Sequence, residues 1–99
     1  MREFFHPDLD GIKVEQILYA LSDPIRLTIV KRLYKSGEQS CAVFEDLGKK
    51  SNLSHHYRTL RECGLIHIRR DGRHSYMTLR QEEMNQRFSG LLLSIVKAK

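Results

Sequence analysis

Between residues 49 and 80 the chain gathers side chains that can meet phosphates and base edges. Lys49, Lys50, Arg58, Arg61, Arg69, Arg70, Arg73 and Arg80 stand there against only Glu62 and Asp71, eight cations against two anions and a net of +6. The whole 99-residue chain carries +5, so the remainder is slightly acidic. A charge excess confined to one stretch selects a polyanionic partner. Short hydrogen-bonding groups are interleaved with the cations. Hydroxyls in the first turn of a helix let the backbone approach a duplex, and the helix dipole favours a phosphate beside them. Lys50, Ser51, Ser54 and His55 are candidates of this kind, and an imidazole can hydrogen-bond either a base edge or a phosphate. Arg58, a turn further on, is a candidate for the phosphate backbone. Arg61 divides between a phosphate and surface acids such as Glu62. Arg70 and Arg73 flank a turn. If they face each other, the like-charge pair costs a few tenths to about 1 kcal/mol, which a phosphate or a narrow minor groove would offset. Arg69 and His74 are weaker candidates.

Other chemistries find little to work with. No nucleophile elbow, phosphate-cradling loop or metalloprotease signature is present, and the polar residues spread over a surface rather than converging on a cleft. His6, His56, His67 and His74 show no ligand spacing, so neither a metal nor another cofactor is expected. Cys41 and Cys63 form no CxxC and are too few for a disulfide framework. Two readings of them stay open: buried small apolar residues, or a thiol pair that senses oxidants. Accessibility and a lowered thiol pKa would mark the second.

These side chains need elements to hold them. Ser51 is an N-cap candidate, Leu53, Tyr57 and Leu60 recur at helical spacing, and Gly64 stands where a left-handed C-cap is wanted; the spacing predicts a helix over 51–63. Asp71-Gly72 signals a two-residue hairpin turn within a hairpin over 66–79. That turn would pair Arg70 with Arg73, Arg69 with His74, Ile68 with Ser75, His67 with Tyr76 and Ile66 with Met77. Ile66, Ile68, Met77 and Leu79 then share the core face. Upstream, residues 1–12 read as a loosely ordered arm, given His6-Pro7 and Gly11. Val14, Ile17, Leu18 and Leu21 mark a first amphipathic helix. Asp23 or Ser22 caps the next, with Pro24 in its first turn. Ile25, Leu27, Ile29, Val30, Leu33 and Tyr34 surround that helix, which makes it central; it ends near Ser36-Gly37. A short third helix is expected over 40–45, with Val43, Phe44 and Leu47 as core candidates.

The last segment, 81–97, carries Met84, Phe88, Leu91, Leu92, Ile95 and Val96 on one helical stripe, with Ser89-Gly90 able to kink or break it. Two arrangements cover the stripe: packing back on its own core, or a dimer seam with the first helix. The reading takes the seam, since a chain of this size buries only a modest core. The expected fold is mainly α with a small β-hairpin: four helices, the hairpin, then a fifth helix, forming a single winged helix-turn-helix domain over 1–99. Residues 1–10 are polar and mixed in charge, unlike a secretory signal, and no apolar run approaches the ~18 residues of a membrane span. A cytoplasmic protein without membrane association is expected.

With these residues laid out, the chain resembles the ArsR/SmtB family of bacterial winged-helix repressors. ALSDPIRLTIVKRL (20–33), LSHHYRTLRECGLI (53–66) and the DGR turn carry the resemblance over about residues 14–80. It implies a homodimer that binds double-stranded DNA at a palindromic operator, with Lys50, Ser51, Ser54 and His55 where recognition-helix contacts fall, and release by an inducer, often a metal or metalloid. The sensory parts depart from the family. Ser40, Cys41 and Ala42 stand where metal sensors have Cys-x-Cys, and residues 81–99 hold no His, Cys or Asp. One thiol does not build a soft three- or four-ligand site, so the inducer is left open. The contrasting reading is a winged-helix module for protein interaction.

Overall fold

A computed structural model of the chain describes residues 4–98. The element order is a 3-10 turn Leu9–Gly11, α1 Val14–Ala20, α2 Pro24–Ser36, β1 Gln39–Ser40, a 3-10 helix Cys41–Leu47, α3 Lys50–Glu62, β2 Ile66–Asp71, β3 His74–Leu79, α4 Gln81–Arg87 and α5 Leu91–Lys97. The fold is mostly helical, with an antiparallel sheet of order β1-β3-β2.

Helix α2 starts as its sequence dictates. Asp23 Oδ2 accepts from the Ile25 and Arg26 N–H groups at 2.9 and 3.0 Å, and Pro24 occupies the first turn. Ile29, Val30 and Leu33 are fully buried, which places α2 at the centre. It ends at Gly37, whose φ of 76° suits glycine. The expected third helix over 40–45 is instead a 3-10 helix from Cys41 to Leu47, led in by β1, a strand the sequence did not signal. Its side chains explain the geometry. Cys41, Phe44 and Leu47 are three residues apart and all meet the core, which matches three residues per turn. Val43 faces solvent.

Helix α3 begins at Lys50 rather than at Ser51. Lys49 occupies the cap position, its carbonyl accepting from the Leu53 N–H at 2.9 Å, so Ser51 lies inside the first turn and does not cap. The other end behaves as expected. The Leu65 N–H donates to the Leu60 carbonyl at 3.0 Å and the Gly64 N–H to Arg61 at 3.1 Å, while Gly64 takes φ 83°. This is a Schellman closure, and both of its leucines, Leu60 and Leu65, are buried in the core.

The hairpin register differs from the expected one by two. The turn residues are Gly72 and Arg73, and Arg70 pairs with Ser75, Arg69 with Tyr76, Ile68 with Met77 and Ile66 with Leu79. Gly72, at φ 61°, takes the first turn position, the place of glycine in a type II′ turn. Arg70 and Arg73 are therefore not opposed, and the like-charge cost does not arise. A shift of two leaves Ile66, Ile68, Met77 and Leu79 on one face, and all four are buried.

The C-terminal segment is two seven-residue helices, not one over 81–97, broken between Phe88 and a left-handed Gly90 at φ 77°. The break folds the stripe back onto its own chain. Met84 and Leu92 are wholly buried, and Phe88, Leu91, Ile95 and Val96 pack partly buried against the same core. The expected seam formed by this stripe is thus mostly interior. Residues 4–12 of the N-terminal arm are likewise docked rather than loose, residues 1–3 lying outside the described residues. Leu9 and Ile12 are buried, His6 Nε2 accepts from the Ile68 N–H at 2.9 Å, and the His6 ring stacks on His67 at 4.1 Å.

Gly64 joins arm and closure. A Cβ there would collide with the Leu9 side chain and lie 3.2 Å from Ile12 Cγ1. Gly64→Ala therefore adds overpacking to left-handed strain and should cost about 2–4 kcal/mol. Gly72→Ala, strained but with open space around it, should cost about 1–2 kcal/mol. Urea unfolding of both variants checks the difference; equal losses would mean the arm does not press on Gly64.

Candidate nucleic-acid interface

The C-terminal closure of α3 sends the chain straight into β2, so α3 and the hairpin border one groove of about 660 Å³. Lys50, Ser54 and Arg58 line it from α3, and Arg70 and Arg73 from the hairpin. Five of the seven residues singled out in the sequence thus share one surface. Ser51 and His55 are exposed on α3 but do not line the groove itself. Helix α3 is held on the core by buried Leu60 and by Tyr57, and buried Leu53 forms part of the groove floor with Tyr57. The Tyr57 hydroxyl donates to the Cys41 carbonyl at 3.3 Å, its ring meets Phe44 edge-on at 6.4 Å, and burial pushes its pKa up to about 12. No side chain caps the first turn of α3, which leaves its N–H groups directed outward for an anion.

The eight cations of residues 49–80 separate into two sets. Arg69 grips Glu38 with two hydrogen bonds of 3.0 and 2.9 Å and lies over Tyr76, holding the Glu38 carboxyl below its ordinary range. Arg80 grips Glu83 at 3.0 and 2.7 Å and donates to the Pro7 carbonyl, and it holds the Glu83 carboxyl down in the same way. Arg61 donates to the Phe5 carbonyl at 2.8 Å and lies over the Phe4 ring. All three have partners within the fold, and Arg61, which also lines the groove, is held by the arm rather than by Glu62. Lys49, Lys50 and Arg73 make no side-chain hydrogen bond or ion pair among the described residues, and Arg70 only covers Phe4. Arg58 meets Glu62 at 3.6 Å with both exposed. Such an i,i+4 pair is worth a few tenths of a kcal/mol, so a phosphate can displace it.

Two residues escaped the sequence reading. Glu38 was not connected with Arg69 because nothing local links them. Arg26 is buried, and its signal was present: residues 26, 29, 30 and 33 form one i, i+3, i+4, i+7 stripe, and Arg26 is its single polar member.

The histidines are less scattered than their spacing implied, since His6 stacks on His67 and His55 neighbours His56. No group of three His, Cys, Asp or Glu side chains suited to a metal ion occurs among the described residues. Among them, too, no helix is long and apolar enough to cross a membrane.

Residues 23–67, from the cap of α2 to the start of the hairpin, match the family model of the bacterial regulatory proteins of the arsR family. An uncharacterised HTH-type transcriptional regulator of Bacillus subtilis, YceK, is 41% identical over 83 residues, covering 78% of this chain and 80% of its own. The chain belongs to the ArsR family. Among solved structures, the transcriptional repressor BigR of Xylella fastidiosa superposes with TM-score 0.66 at 30% identity, covering 87% of this chain and 88% of its own. HlyU of Vibrio cholerae shares the fold, with TM-score 0.63 at 24% identity over 76% of this chain and 90% of its own. The ArsR family is one of transcriptional regulators, not enzymes. The groove between α3 and the wing therefore belongs to a DNA-binding winged helix.

Of the two thiols, Cys41 lines the groove and Cys63 is buried in the core. Burial pushes Cys41 up to about 11 and raises Cys63, opposite to the shift of a reactive thiolate. At pH 8, Cys41 of the folded protein should alkylate with iodoacetamide about 100-fold more slowly than after unfolding, in line with its smaller thiolate fraction. Equal rates would mean that the thiol is solvated.

Proposed function

We propose that this chain is a homodimeric repressor that binds a two-fold symmetric operator and leaves it when an inducer binds. In this reading Ser51, Ser54 and His55 meet base edges or adjacent phosphates, and Lys50, Arg58, Arg70 and Arg73 neutralise the backbone. The observation that carries it is the shared groove: five of these seven side chains line it, from two elements of opposite character. Repression rests on the likeness to BigR, which is itself described as a transcriptional repressor.

Dimerisation rests on apolar side chains that one copy leaves uncovered. Val14 and Leu18, one turn apart on α1, are 41% and 50% exposed, and Leu93 on α5 is 41% exposed. A C2 pairing through α1 and α5 would bury them isologously. Two recognition helices about 34 Å apart would then enter successive major-groove faces. The exposed residues, rather than the stripe containing Met84 and Leu92, make this seam. The burial of Leu92 means that a charge there would disrupt the monomer itself.

Two tests follow from this arrangement. Four cations per copy give about eight phosphate contacts, so log affinity should fall with log salt at a slope near −7, losing roughly 10³–10⁵-fold between about 50 and 200 mM. A nearly flat titration would defeat the DNA contacts assigned here. Leu18→Glu and Leu93→Glu should each sediment as folded monomers with weakened binding to a palindromic duplex. A wild-type chain that stays monomeric at micromolar concentration, with and without DNA, would exclude the dimer.

A further inference from the structure

Arg26 is the one charged residue buried among the described residues, at 6% exposure. A guanidinium out of water needs acceptors around it. Its Nε donates to the Ala20 carbonyl at 2.7 Å and its Nη2 to Tyr19 at 3.4 Å, the last two carbonyls of α1. The Tyr19 ring covers its face at 5.3 Å. Its Nη1 lies 3.2 Å from Nδ1 of His56 on α3. Asp23 Oδ2, which caps α2, stands 3.8 Å from the same nitrogen. Burial would raise the Asp23 carboxyl. The N–H groups of Arg26 and Ile25 and the Arg26 charge act against it, and the carboxyl lies below its ordinary value.

The donor count fixes the imidazole. Guanidinium only donates, so the facing Nδ1 of His56 must accept, and the neutral ring carries its proton on Nε2. His56 is thereby locked, its side chain 13% exposed. The other contacts that seat α3 are mostly apolar, through Leu53, Leu60 and the Tyr57 ring. Apolar burial is non-directional and tolerates small rotations. A buried bond between a guanidinium and a ring nitrogen does not, because angle and distance are both set. His55 immediately precedes it on the same helix, with its ring 5.8 Å from that of His56, and Ser54 comes one residue earlier.

We infer that His56, as the Nε2–H tautomer accepting from Arg26, is a positioning residue for DNA readout, setting the rotation of α3 that aims His55 and Ser54 at base edges. This rests on the DNA-contact reading proposed above. His56 touches no DNA in this arrangement. Its contribution is selectivity, while phosphate affinity stays with Lys50, Arg58, Arg70 and Arg73.

Duplexes selected from a random library by the wild-type chain supply the probe, with a scrambled duplex of equal length as reference. His56→Leu, which removes the acceptor, should lower the preference for the selected duplex by about tenfold or more, the size of one lost base contact. Affinity for the scrambled duplex should hold within about twofold. His56→Gln restores an acceptor and should recover most of the preference. A purely structural role would lower the melting temperature and both affinities together, with no rescue of preference by Gln. Should His56→Leu fail to fold, the Gln variant and the wild-type imidazole decide. Nitrogen-15 spectra of wild type at pH 7.5 should show an unprotonated Nδ1 and a protonated Nε2 on His56. A protonated Nδ1, or a folded His56→Leu protein with undiminished preference, overturns the assignment. A Gln variant that loses as much preference as the Leu variant does the same. If the wild-type chain binds DNA but enriches no sequence, the base-reading assignments fail first, and this inference goes with them.

Discussion

The angle between a reading helix and its wing is set by a few backbone bonds, and here they lie between Leu60 and Leu65. The helix must end, reverse and enter an extended strand within three residues, which requires one residue at positive φ. Gly64 supplies it at 83°, and the two hydrogen bonds of the closure satisfy carbonyls that would otherwise be orphaned. Everything on the DNA-facing side inherits this geometry. Had the chain left α3 in another direction, Arg70 and Arg73 would not border the groove that Lys50, Ser54 and Arg58 border from the helix. The arm reinforces the same corner from outside. Leu9 and Ile12 fill the space a side chain at 64 would take. Phe4 lies under both Arg61 and Arg70, and His6 meets β2 at Ile68.

Net charge says less about the interface than the partners of each charge do. Of the eight cations in residues 49–80, Arg61, Arg69 and Arg80 are spent on backbone carbonyls or on Glu38 and Glu83, with planar two-bond grips in the last two cases. Freeing such an arginine for a phosphate would exchange one charge-assisted pair for another, with little net gain. The cations that remain are those with weak or no internal partners, and they cluster on α3 and the hairpin tip. A basic protein thus presents a smaller, more sharply placed cationic surface than its count implies.

Where sequence reasoning succeeded, a local rule decided the outcome. Asp23-Pro24 begins α2, Gly64 closes α3, and alternation assigns Ile66, Ile68, Met77 and Leu79 to the core, each because of its neighbours. The hairpin register failed where two local rules compete. In Asp71-Gly72-Arg73 the glycine suits the second position of a type I′ turn or the first of a II′ turn, and only the packed sheet chooses. The choice shifts the pairing by two, so the inward face survived while the argument from opposed arginines did not. The 3-10 helix, strand β1 and the grips of Glu38 and Arg26 were illegible for a different reason. Apart from the bonds of Arg26 back to Ala20 and Tyr19, they depend on residues 16 to 40 positions apart in the chain. The groove residues were legible because helix face and hairpin tip are both local, and the resemblance to the ArsR family placed them on one molecule.

Arg26 gives α1 two duties. Its outer face carries Val14 and Leu18, the side chains that a second copy would cover. Its last two carbonyls hold the guanidinium that meets His56 on α3. A shift of α1 relative to α2 cannot leave both ends of that bridge intact, because the arginine is too short and too buried to follow one partner without leaving the other. A hydrogen bond to a buried charge is worth about 1.5–3 kcal/mol. The bridge therefore ties α1, α2 and α3 together at one buried guanidinium. It is also made of contacts that act in one direction only. The dispersed apolar contacts of Leu53 and Leu60 would yield gradually to the same displacement, so the setting of α3 is carried by the polar bridge and its attachment by the leucines.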